Sequence, residues 1–355
     1  MKSTILFIIT KSETGGAQKF VLEQIVALHK TNKWNCLIAT NQEGWLTKEL
    51  SYYVNDFFLD KRIEKRLSFF YLIYLIKFIR ENKPDLIIAN SANGGLYGRL
   101  AGLFTFTKVV YVSHGWSSIY NGGYFTKFFT VAERILAYLS TSILCISETD
   151  RQKAIQIIKI PSNKLKVIPN SILPIEQKEN FVLADFVTVC RLVSPKRVDL
   201  LIDAMAMLPE YTLDVIGDGS LLLELKQKVI RQQLKNVRFL GEISGFQDFS
   251  RYKAFCLISE SEGMPMSAIE AMSCGLPLIL SNVGGCNELI DKNGVLVTNT
   301  TNQIVDGLRY VIQNQAILSQ ASNELFYFKF NLNNTITQYT KYYNDITTTS
   351  RFSIN

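Results

Sequence analysis

Short apolar runs with the composition of β-strands alternate with helical patterns along most of the chain. Strands separated by helices pair in parallel and are buried on both faces, so we predict an α/β protein built on parallel sheets. No internal repeat interrupts this alternation. The predicted strands are residues 2–10, 35–40, 56–59, 85–90, 108–113 and 142–147, followed by 181–190, 212–216, 236–240, 254–259 and 278–281.

The chain has 355 residues, which is too long for one ordinary domain and suits two of roughly 150 residues each. Residues 174–180 form a polar segment without apolar periodicity, and we place the linker between the domains there. The apolar fraction of 47% is typical of globular domains with large cores.

The cysteine and histidine content indicates an intracellular protein without a metal centre. The six Cys residues are scattered, without any Cys-x-x-Cys pair, which favours buried free thiols in a reducing cytosol. The two His residues are too few for a polyhistidine metal site. We expect no signal peptide, and no apolar run reaches the ~20 residues that span a bilayer.

The positive charge is concentrated in the first half of the chain. Residues 1–172 carry 22 Lys and Arg against 12 Asp and Glu, a net charge of +10, whereas residues 173–355 carry 16 against 19, a net charge of −3. This asymmetry predicts an anionic partner for the first half, either a membrane surface or a nucleic acid.

Residues 61–80 combine clustered bases with a continuous apolar run. Lys61, Arg62, Lys65 and Arg66 precede the apolar residues 69–76. Two interpretations remain open. The segment is either a helix packed on the sheet or a helix whose basic and aromatic rim rests on anionic lipid.

The stretch from Ser261 to Gly275 predicts a loop that runs into a helix. Gly263 and Pro265 prevent regular structure, Ser267 is a suitable N-cap, and Gly275 supplies the left-handed stop. A strand, a glycine-bearing turn and a helix N-terminus together bind anions, because free N–H groups and the helix dipole point at the ligand.

Two carboxylates accompany this predicted anion site, Glu262 in the loop and Glu270 in the first turn of the helix. The two carboxylates are compatible with an anion site if they accept hydrogen bonds from sugar hydroxyls while the N–H groups hold phosphates. Such an arrangement suits a nucleotide-sugar. The alternative is that Glu270 complements the helix dipole and Glu262 is a solvated loop charge.

Other candidate residues follow predicted strands, at the sheet edge where the ligands of open α/β sheets bind. His114 comes directly after one strand, and Arg191 and Lys196 lie between another strand and its helix, where cations would close around a pyrophosphate. Gly15 and Gly16 lie at the start of the first helix, where bare backbone can approach a ligand. The alternatives are a structural histidine, solvated loop charges and a tight βα turn.

In this order and spacing, these residues resemble the family 4 retaining glycosyltransferases, whose GT-B fold has two Rossmann-like domains with parallel sheets facing across a cleft. The segment from Glu262 to Glu270 is similar to the family's Glu-x7-Glu motif. The other matching segments are Gly15-Gly16-Ala17-Gln18, Ser113-His114-Gly115, Ile168-Pro169-Asn170-Ser171, Arg191 with Lys196, and Ile216-Gly217-Asp218-Gly219.

The resemblance covers essentially residues 1–330 and implies a domain division. Residues 1–172 would form an acceptor-binding domain and residues 173–330 a nucleotide-sugar-binding domain. Residues 331–355 would form a C-terminal helix that packs back toward the first domain.

The resemblance also implies a role for each matching residue. Glu270 would bind the ribose hydroxyls and Glu262 the ring hydroxyls of the donor sugar. Arg191 and Lys196 would neutralise the diphosphate, and His114 would lie near the sugar, so His114, Arg191, Lys196 and Glu262 are the expected catalytic residues. Donor binding would also involve Gly16, Gly217, Gly241, Gly263, Met264, Pro265, Met266, Ser267 and Glu270.

The chain departs from the family pattern at three places. Cys190 stands where the family usually has Gly, Ser194-Pro195 where an acidic residue often precedes the Lys, and Asn170-Ser171 replaces the commoner Asn-Gly. None of these changes removes a charged residue that would contact the nucleotide-sugar. They therefore affect the expected shape of the phosphate loop and leave the expectation of nucleotide-sugar binding unchanged.

The expected reaction transfers a hexose or N-acetylhexosamine from a nucleoside-diphosphate sugar, preferably a UDP-sugar, to a lipid-linked oligosaccharide in O-antigen, capsule or exopolysaccharide synthesis. Family members retain the anomeric configuration and need no metal, so we expect an α linkage and no metal or other cofactor. The acceptor hydroxyl would attack from the leaving-group side, and no carboxylate need act as nucleophile.

We expect a cytoplasmic protein that binds peripherally to the inner face of the cytoplasmic membrane, through the region of Lys61, Arg62, Lys65 and Arg66. No nucleic-acid partner is expected, because the bases are spread among helices without aromatic RNA-binding motifs on strands. Two alternatives remain, a nucleotide-sugar epimerase or hydrolase on the same fold, which would turn over without an acceptor, and a binding module for anionic lipid or nucleic acid.

Overall fold

The computed structural model describes residues 2–116, 119, 126–177 and 181–348. It divides into two compact units, one formed by the chain up to Asn170 and from Leu332 onward, and the other by Ser171–Asn331. The last part of the predicted linker, residues 178–180, lies outside the described residues. The chain thus leaves the first unit after Asn170 and returns to it for its last helix.

The first unit is built on a seven-stranded sheet in which every strand pairs in parallel with its neighbours. The strands are β1 (Ser3–Ile8), β2 (Trp34–Thr40), β3 (Asp56–Leu59), β4 (Leu86–Asn90), β5 (Lys108–Ser113), β6 (Ser142–Cys145) and β7 (Leu165–Val167). Their order in the sheet is β3-β2-β1-β4-β5-β6-β7. β4 is buried along its whole length, because helices cover both faces of the sheet.

The helices of this unit follow the strands in turn. They are α1 (Gly16–Lys30), α2 (Trp45–Leu50), α3 (Phe69–Asn82), α4 (Ala92–Thr105), α5 (Thr126–Tyr138) and α6 (Glu148–Lys153). Short helical turns add Lys61–Glu64, Ala154–Ile158 and Ser162–Lys164.

The second unit contains a six-stranded parallel sheet. Its strands are β8 (Ala184–Val189), β9 (Leu213–Ile216), β10 (Val237–Gly241), β11 (Tyr252–Leu257), β12 (Leu278–Ser281) and β13 (Gly294–Val297), in the order β10-β9-β8-β11-β12-β13. Its helices are α7 (Val198–Ala206), α8 (Leu222–Arg231), α9 (Met266–Ser273), α10 (Thr301–Gln313) and α11 (Gln315–Leu325), with short turns at Asp248–Arg251, Gly284–Leu289 and Phe326–Phe330. The core between sheet and helices includes Phe186, Leu201, Val215, Ile279 and Ile304.

The last helix, α12 (Leu332–Thr348), packs within the first unit. The Tyr339 hydroxyl donates to the Pro169 carbonyl at 3.1 Å, and the Tyr342 hydroxyl lies 2.7 Å from Ser142 Oγ. Tyr343 is fully buried. Aromatic side chains thus attach α12 to the first sheet.

Both sheets have the doubly wound topology. In each, the chain builds outward in one direction and then crosses back, so the strand order reverses between β1 and β4 and again between β8 and β11. The loops that leave the carboxyl ends of such strands form a crevice in which ligands bind. The predicted α/β architecture with parallel sheets is confirmed, although the edge strand β13 was not predicted.

Candidate active site

The loop between β8 and α7 carries Arg191 and Lys196 and is held by glycines of a neighbouring loop. Gly217 has φ of +142°, and a Cβ at that position would lie 1.9 Å from the Cys190 carbonyl oxygen. A Cβ on Gly219 would lie 2.4 Å from the backbone oxygen of Leu192 in the same loop. The space left by Gly217, a predicted donor-binding residue, is therefore filled by the loop that leads to Arg191.

The structure brings Lys196 and Glu262 into direct contact, with Lys196 Nζ donating to Glu262 Oε1. The loops that follow β8 and β11 also pair through their backbones, since Glu260 N–H donates to the Pro195 carbonyl at 2.9 Å. The side chains of Lys196 and Glu262 are 18% and 10% exposed, so the pair is partly shielded from water and still reachable by a ligand. The predicted cation and the predicted sugar-binding carboxylate thus occupy one site.

The backbone around Glu262 is supported from behind by the loop after β12. Gly285 N–H donates to the Gly263 carbonyl at 2.7 Å, and Gly284 has φ of +53°. A Cβ on Gly284 would lie 1.7 Å from the Glu262 carbonyl oxygen, so only glycine fits there. This loop positions Glu262 but was not among the predicted site residues.

The helix after Glu262 starts two residues earlier than predicted. α9 begins at Met266 with Pro265 as its N-cap, so the prediction of Ser267 as N-cap is wrong. The Pro265 carbonyl accepts the N–H groups of Ala268 and Ile269 at 3.2 and 3.4 Å, which supplies the first helical acceptor without Ser267. Glu270 consequently lies in the second turn and not in the first.

No side chain caps the N-terminus of α9 among the described residues. Since Ala268 N–H already donates to Pro265, Met266 and Ser267 supply the N–H groups that this turn offers to an anion, as the helix dipole favours. The C-terminal end of α9 is terminated by Gly275, whose φ of +75° is the predicted left-handed conformation. Glu270 is partly exposed and lies one turn after Ser267 on the same helix face.

Arg191 and Gly241 complete the predicted set in this unit. Arg191 is exposed and forms no ion pair with any residue that the structure describes, so its guanidinium is available to a ligand. Gly241 has φ of +74°, and a Cβ there would meet nothing within 4 Å. Unlike Gly217, Gly241 therefore borders open space.

In the first unit, α1 begins at Gly16, which was predicted as a donor-binding residue. Gly15 is its N-cap, no side chain caps this end, and the first turn contains no acidic residue. This helix start follows β1, next to the point where the strand order of the first sheet reverses.

His114 directly follows β5 and contacts the end of β4. Its Nε2 lies 2.9 Å from Asn90 Oδ1, and the ring of Phe20 packs against the imidazole edge-on, with the ring centroids 5.0 Å apart. Burial lowers the pKa of His114 to about 4, so the imidazole is neutral at physiological pH.

Asn90 contacts His114 but was not among the predicted site residues, and Ser91 follows it in the chain. Ser91 has φ of +64°, a costly conformation for a residue other than glycine, and its Oγ lies 2.6 Å from Thr10 Oγ1. Such strain concentrates at functional sites. Asn90 ends a buried strand next to the reversal of the strand order, and the rule that selected His114 could have selected it too.

Comparisons with known proteins identify the family. A model described as Glycosyltransferase Family 4 matches residues 14–173, and one described as Glycosyl transferases group 1 matches residues 173–325. O-antigen biosynthesis glycosyltransferase WbnH of Escherichia coli is 42% identical over 299 residues, which cover 84% of this chain and 87% of the relative. The chain belongs to glycosyltransferase family 4.

Two further similarities of this glycosyltransferase have lower sequence identity. An Escherichia coli protein named UDP-Gal:alpha-D-GlcNAc-diphosphoundecaprenol alpha-1,3-galactosyltransferase is 25% identical over 344 residues, covering 87% of each chain. The crystal structure of Anabaena Alr3699/HepE in complex with UDP and glucose matches with a TM-score of 0.83 at 20% identity, over 96% of this chain and 99% of that one. The GT-B fold expected from the sequence is confirmed.

The residues of this glycosyltransferase that were predicted from sequence fall into two groups. The second unit brings together Lys196, Glu262 and the start of α9, whereas Gly16 and His114 belong to the first unit. Among the described residues, no group of three His, Cys, Asp or Glu side chains is placed to hold a metal ion.

The glycosyltransferase also exposes the basic segment predicted to meet a membrane. Arg62 is engaged by Asp60, with Arg62 Nη2 2.6 Å from Asp60 Oδ2, and this contact lowers the pKa of the carboxyl. Lys61, Lys65 and Arg66 are exposed and form no ion pair with a described residue. Three of the four predicted bases therefore keep their charge uncompensated.

Two helices next to these bases expose apolar side chains. α3 packs on the sheet through Tyr71, Leu75, Phe78 and Ile79, as the first interpretation predicts, while its other face exposes apolar residues as well. The Arg66 guanidinium lies 5.1 Å from the ring centroid of Phe129 in α5, which connects the two helices. The exposed apolar residues, called here the α3–α5 surface, are Leu67, Phe69, Phe70, Ile73, Tyr74, Phe128, Val131, Ile135 and Tyr138.

The exposed residues of α5 form one stripe, because positions 128, 131, 135 and 138 repeat at the spacing of a single helix face. None of the described helices is both long enough and apolar enough to cross a bilayer.

Proposed function

We propose that this glycosyltransferase moves a hexose or N-acetylhexosamine from a UDP-sugar to a hydroxyl of a lipid-linked oligosaccharide, with retention and an α linkage. The product would be an O-antigen, capsule or exopolysaccharide precursor. The contact between Lys196 and Glu262 carries the proposal, since it sets a cation for a phosphate beside a carboxylate for a sugar hydroxyl. The names of the two Escherichia coli relatives and the UDP bound by the structural neighbour support it.

The positive groups of the second unit suit a leaving nucleoside diphosphate. As the bond between the sugar and the phosphate breaks, the diphosphate gains negative charge. Lys196, Arg191 and the first N–H groups of α9 would stabilise that charge in the transition state. Hydrogen-bond donors that are already in position need not move as the charge develops, and this makes them effective.

Glu262 would hold the sugar next to those phosphates. An ionised carboxylate accepts hydrogen bonds from two hydroxyls, and Glu262 lies four residues before the start of α9. In the free protein it neutralises Lys196, and an arriving diphosphate would take over that cation and leave the carboxylate to the hydroxyls. Glu270, on the exposed side of α9, would accept the ribose hydroxyls.

The same arrangement would allow retention without a covalent intermediate. The acceptor oxygen would bond to the anomeric carbon from the face that the leaving group vacates, while the bond to the UDP oxygen breaks and the acceptor proton passes to the UDP phosphate. No carboxylate needs to attack the sugar, unlike in retaining glycosidases.

Substitution of the cations tests the transferase proposal. Arg191→Ala and Lys196→Ala should each lower kcat/KM by about 10²–10³, as loss of one transition-state donor does. Lys228→Ala is the matched control, because Lys228 pairs with Asp203 at 2.6 Å on the surface of the same unit and should not affect turnover. Full activity in either active-site variant would refute the assigned roles.

The assay itself separates the reaction classes. With a UDP-sugar and a lipid-linked acceptor, UDP release should require the acceptor, and NMR of the product should give an α linkage. Release of UDP or isomerisation of the sugar without an acceptor would indicate a hydrolase or an epimerase, and a β product would exclude retention.

We also propose that the first unit meets its lipid-linked acceptor at an anionic membrane, through the α3–α5 surface. Lys61, Lys65 and Arg66 would contribute about 1 kcal/mol each near such a surface. The apolar stripe of α5 would enter the boundary between headgroups and acyl chains, where amphipathic helices bury their apolar faces. Apolar residues flanked by uncompensated bases fit a lipid surface better than they fit an acidic or a basic protein partner.

Flotation with liposomes tests this surface. Phe128→Ser with Ile135→Ser should reduce binding to vesicles that contain anionic lipid, whereas Leu223→Ser with Ile230→Ser should not. The control pair lies on α8 of the second unit, and its side chains are similarly exposed, 69% and 73% against 69% and 61%. Equal loss in both pairs, or no binding of the native protein at low salt, would contradict the proposal.

A further inference from the structure

The polar contact between Asn90 and His114 determines which nitrogen of the imidazole carries the proton. Asn90 is fully buried at the end of β4, and its side-chain nitrogen Nδ2 lies 3.1 Å from the Ile88 carbonyl oxygen and 3.4 Å from that of Ile8. Carbonyl oxygens only accept hydrogen bonds, so the amide must direct its NH₂ group toward them. Its oxygen then faces His114.

Because Asn90 Oδ1 can only accept, His114 Nε2 must donate across their 2.9 Å separation. In a neutral imidazole the other nitrogen carries a lone pair, so Nδ1 of His114 is an acceptor. Nδ1 has no hydrogen-bond partner among the residues that the structure describes.

The surroundings of His114 keep the ring neutral. β4 contributes the uncharged Asn90 and α1 contributes the ring of Phe20, and burial alone lowers the pKa. No acidic or basic side chain among the described residues perturbs it. An imidazolium, which would donate from both nitrogens, is therefore disfavoured at physiological pH.

We propose that Asn90 is a positioning residue, which holds His114 as the Nε2–H tautomer so that Nδ1 accepts a hydrogen bond from a hydroxyl of the transferred sugar. This inference rests on the proposed function for the identity of the sugar, but the tautomer belongs to the free protein. His114 would then orient the sugar and would neither protonate the leaving group nor act as a cation toward it.

The tautomer is measured directly by ¹⁵N NMR of the imidazole rings, because protonated and bare ring nitrogens have well-separated chemical shifts. The chain has two His residues, so the variant His29→Gln assigns the signals of His114. At pH 7 we expect Nε2 protonated and Nδ1 bare. A proton on Nδ1, or on both nitrogens, overturns the proposal whether or not the protein transfers sugar.

Addition of nucleotide-sugars tests the role of Nδ1. UDP-glucose, UDP-galactose and their N-acetylhexosamine counterparts are titrated in turn against UDP alone. The sugar that supports turnover should move the Nδ1 signal toward that of a hydrogen-bonded nitrogen, and UDP should not. An unmoved signal at saturation with the turnover substrate rejects the assigned contact, while failure of every sugar to turn over rejects the proposed function and leaves the tautomer result standing.

Two substitutions of Asn90 separate positioning from structural support. Asn90→Leu removes the acceptor, so both tautomers should appear and kcat/KM should fall by a factor on the order of ten. Asn90→Asp keeps the acceptor but adds a negative charge, which raises the pKa of His114, so activity should fall on acidification below neutral pH and recover above it. The native enzyme should show no such loss over that range, and unchanged profiles in both variants would refute the role of Asn90.

Discussion

Glu262 neutralises Lys196 before any substrate arrives, and this has a consequence for nucleotide binding. A ligand that carries only the diphosphate competes with the carboxylate for the same ammonium group. A ligand that also carries a sugar gains the carboxylate as a hydrogen-bond acceptor. If the proposed function holds, the pair would therefore favour UDP-sugar over UDP at the scale of single residues, which would help to release the product.

Glu262→Gln removes the charge and keeps the shape of the side chain. We expect UDP to bind more tightly by up to about fivefold, equivalent to the ~1 kcal/mol of a partly exposed ion pair, because Lys196 is freed. Turnover should fall, because the amide keeps one neutral acceptor oxygen where the carboxylate offered two charged ones to the sugar hydroxyls. Calorimetric titration with UDP measures the first effect and product formation the second.

The control is Glu260→Gln, since Glu260 is exposed and pairs with Arg197 at 2.8 Å, beside the site and outside it. Its UDP affinity should match that of the native protein. If Glu262→Gln weakened UDP binding as Lys196→Ala is expected to, the carboxylate would not compete for the cation.

Sequence reasoning could predict roughly where these residues lie, but it could not predict their contacts. Arg191, Lys196, His114 and Glu262 each follow a predicted strand, and the parallel strands of each sheet bring their carboxyl ends to one edge of that sheet, so the approximate location of these residues could be predicted. The hydrogen bond between Lys196 and Glu262 joins residues 66 positions apart, and no local pattern encodes such a pairing. Asn90 was overlooked because its strand was treated only as core.

At the scale of elements, glycines position the loops that carry the site. Ala at Gly217 or Gly284 would place a Cβ 1.9 or 1.7 Å from a carbonyl oxygen of the adjoining site loop, so the Arg191 or the Glu262 loop must move. Gly217→Ala and Gly284→Ala should therefore lower both thermal stability and kcat/KM. Thermal unfolding and steady-state kinetics measure the two effects.

Gly241→Ala provides the comparison, because Gly241 also has positive φ but its Cβ would enter open space. This variant should lose only the roughly 1–2 kcal/mol that a left-handed conformation costs a residue with a side chain. Equal losses in all three variants would mean that conformation alone, and not contact with the site loops, requires glycine.

The boundaries of elements were the weakest part of the sequence analysis. The sequence could not indicate that the carbonyl of Pro265 would serve as the first helical acceptor, so the N-cap was placed at Ser267. β13 was missed because it is a short edge strand that begins at Gly294 and is only partly buried. The buried strands β5 and β12 were predicted with their observed bounds, because both faces of a parallel strand are apolar.

At the scale of the whole molecule, the first unit contains both ends of the described chain, and its integrity should depend on α12. Tyr343 of α12 is fully buried, its ring lies 6.3 Å from that of Trp34, and its hydroxyl donates to Gln24 Oε1 at 3.4 Å. Tyr343→Ala leaves a large cavity between α12, α1 and β2. By analogy with other buried aromatic side chains, we expect a loss of about 3–5 kcal/mol in the free energy of unfolding of this unit.

Hydrogen exchange resolves where that loss occurs. Amides of α1 and β2 should exchange faster in Tyr343→Ala, and amides of α7 and α10 should keep their native rates, because the second unit has its own core. Tyr310→Ala is the control, since Tyr310 is half exposed on α10 and its loss should stay within about 0.5 kcal/mol. Equal acceleration in both units would show that α12 stabilises the chain as a single cooperative body and not through the first unit alone.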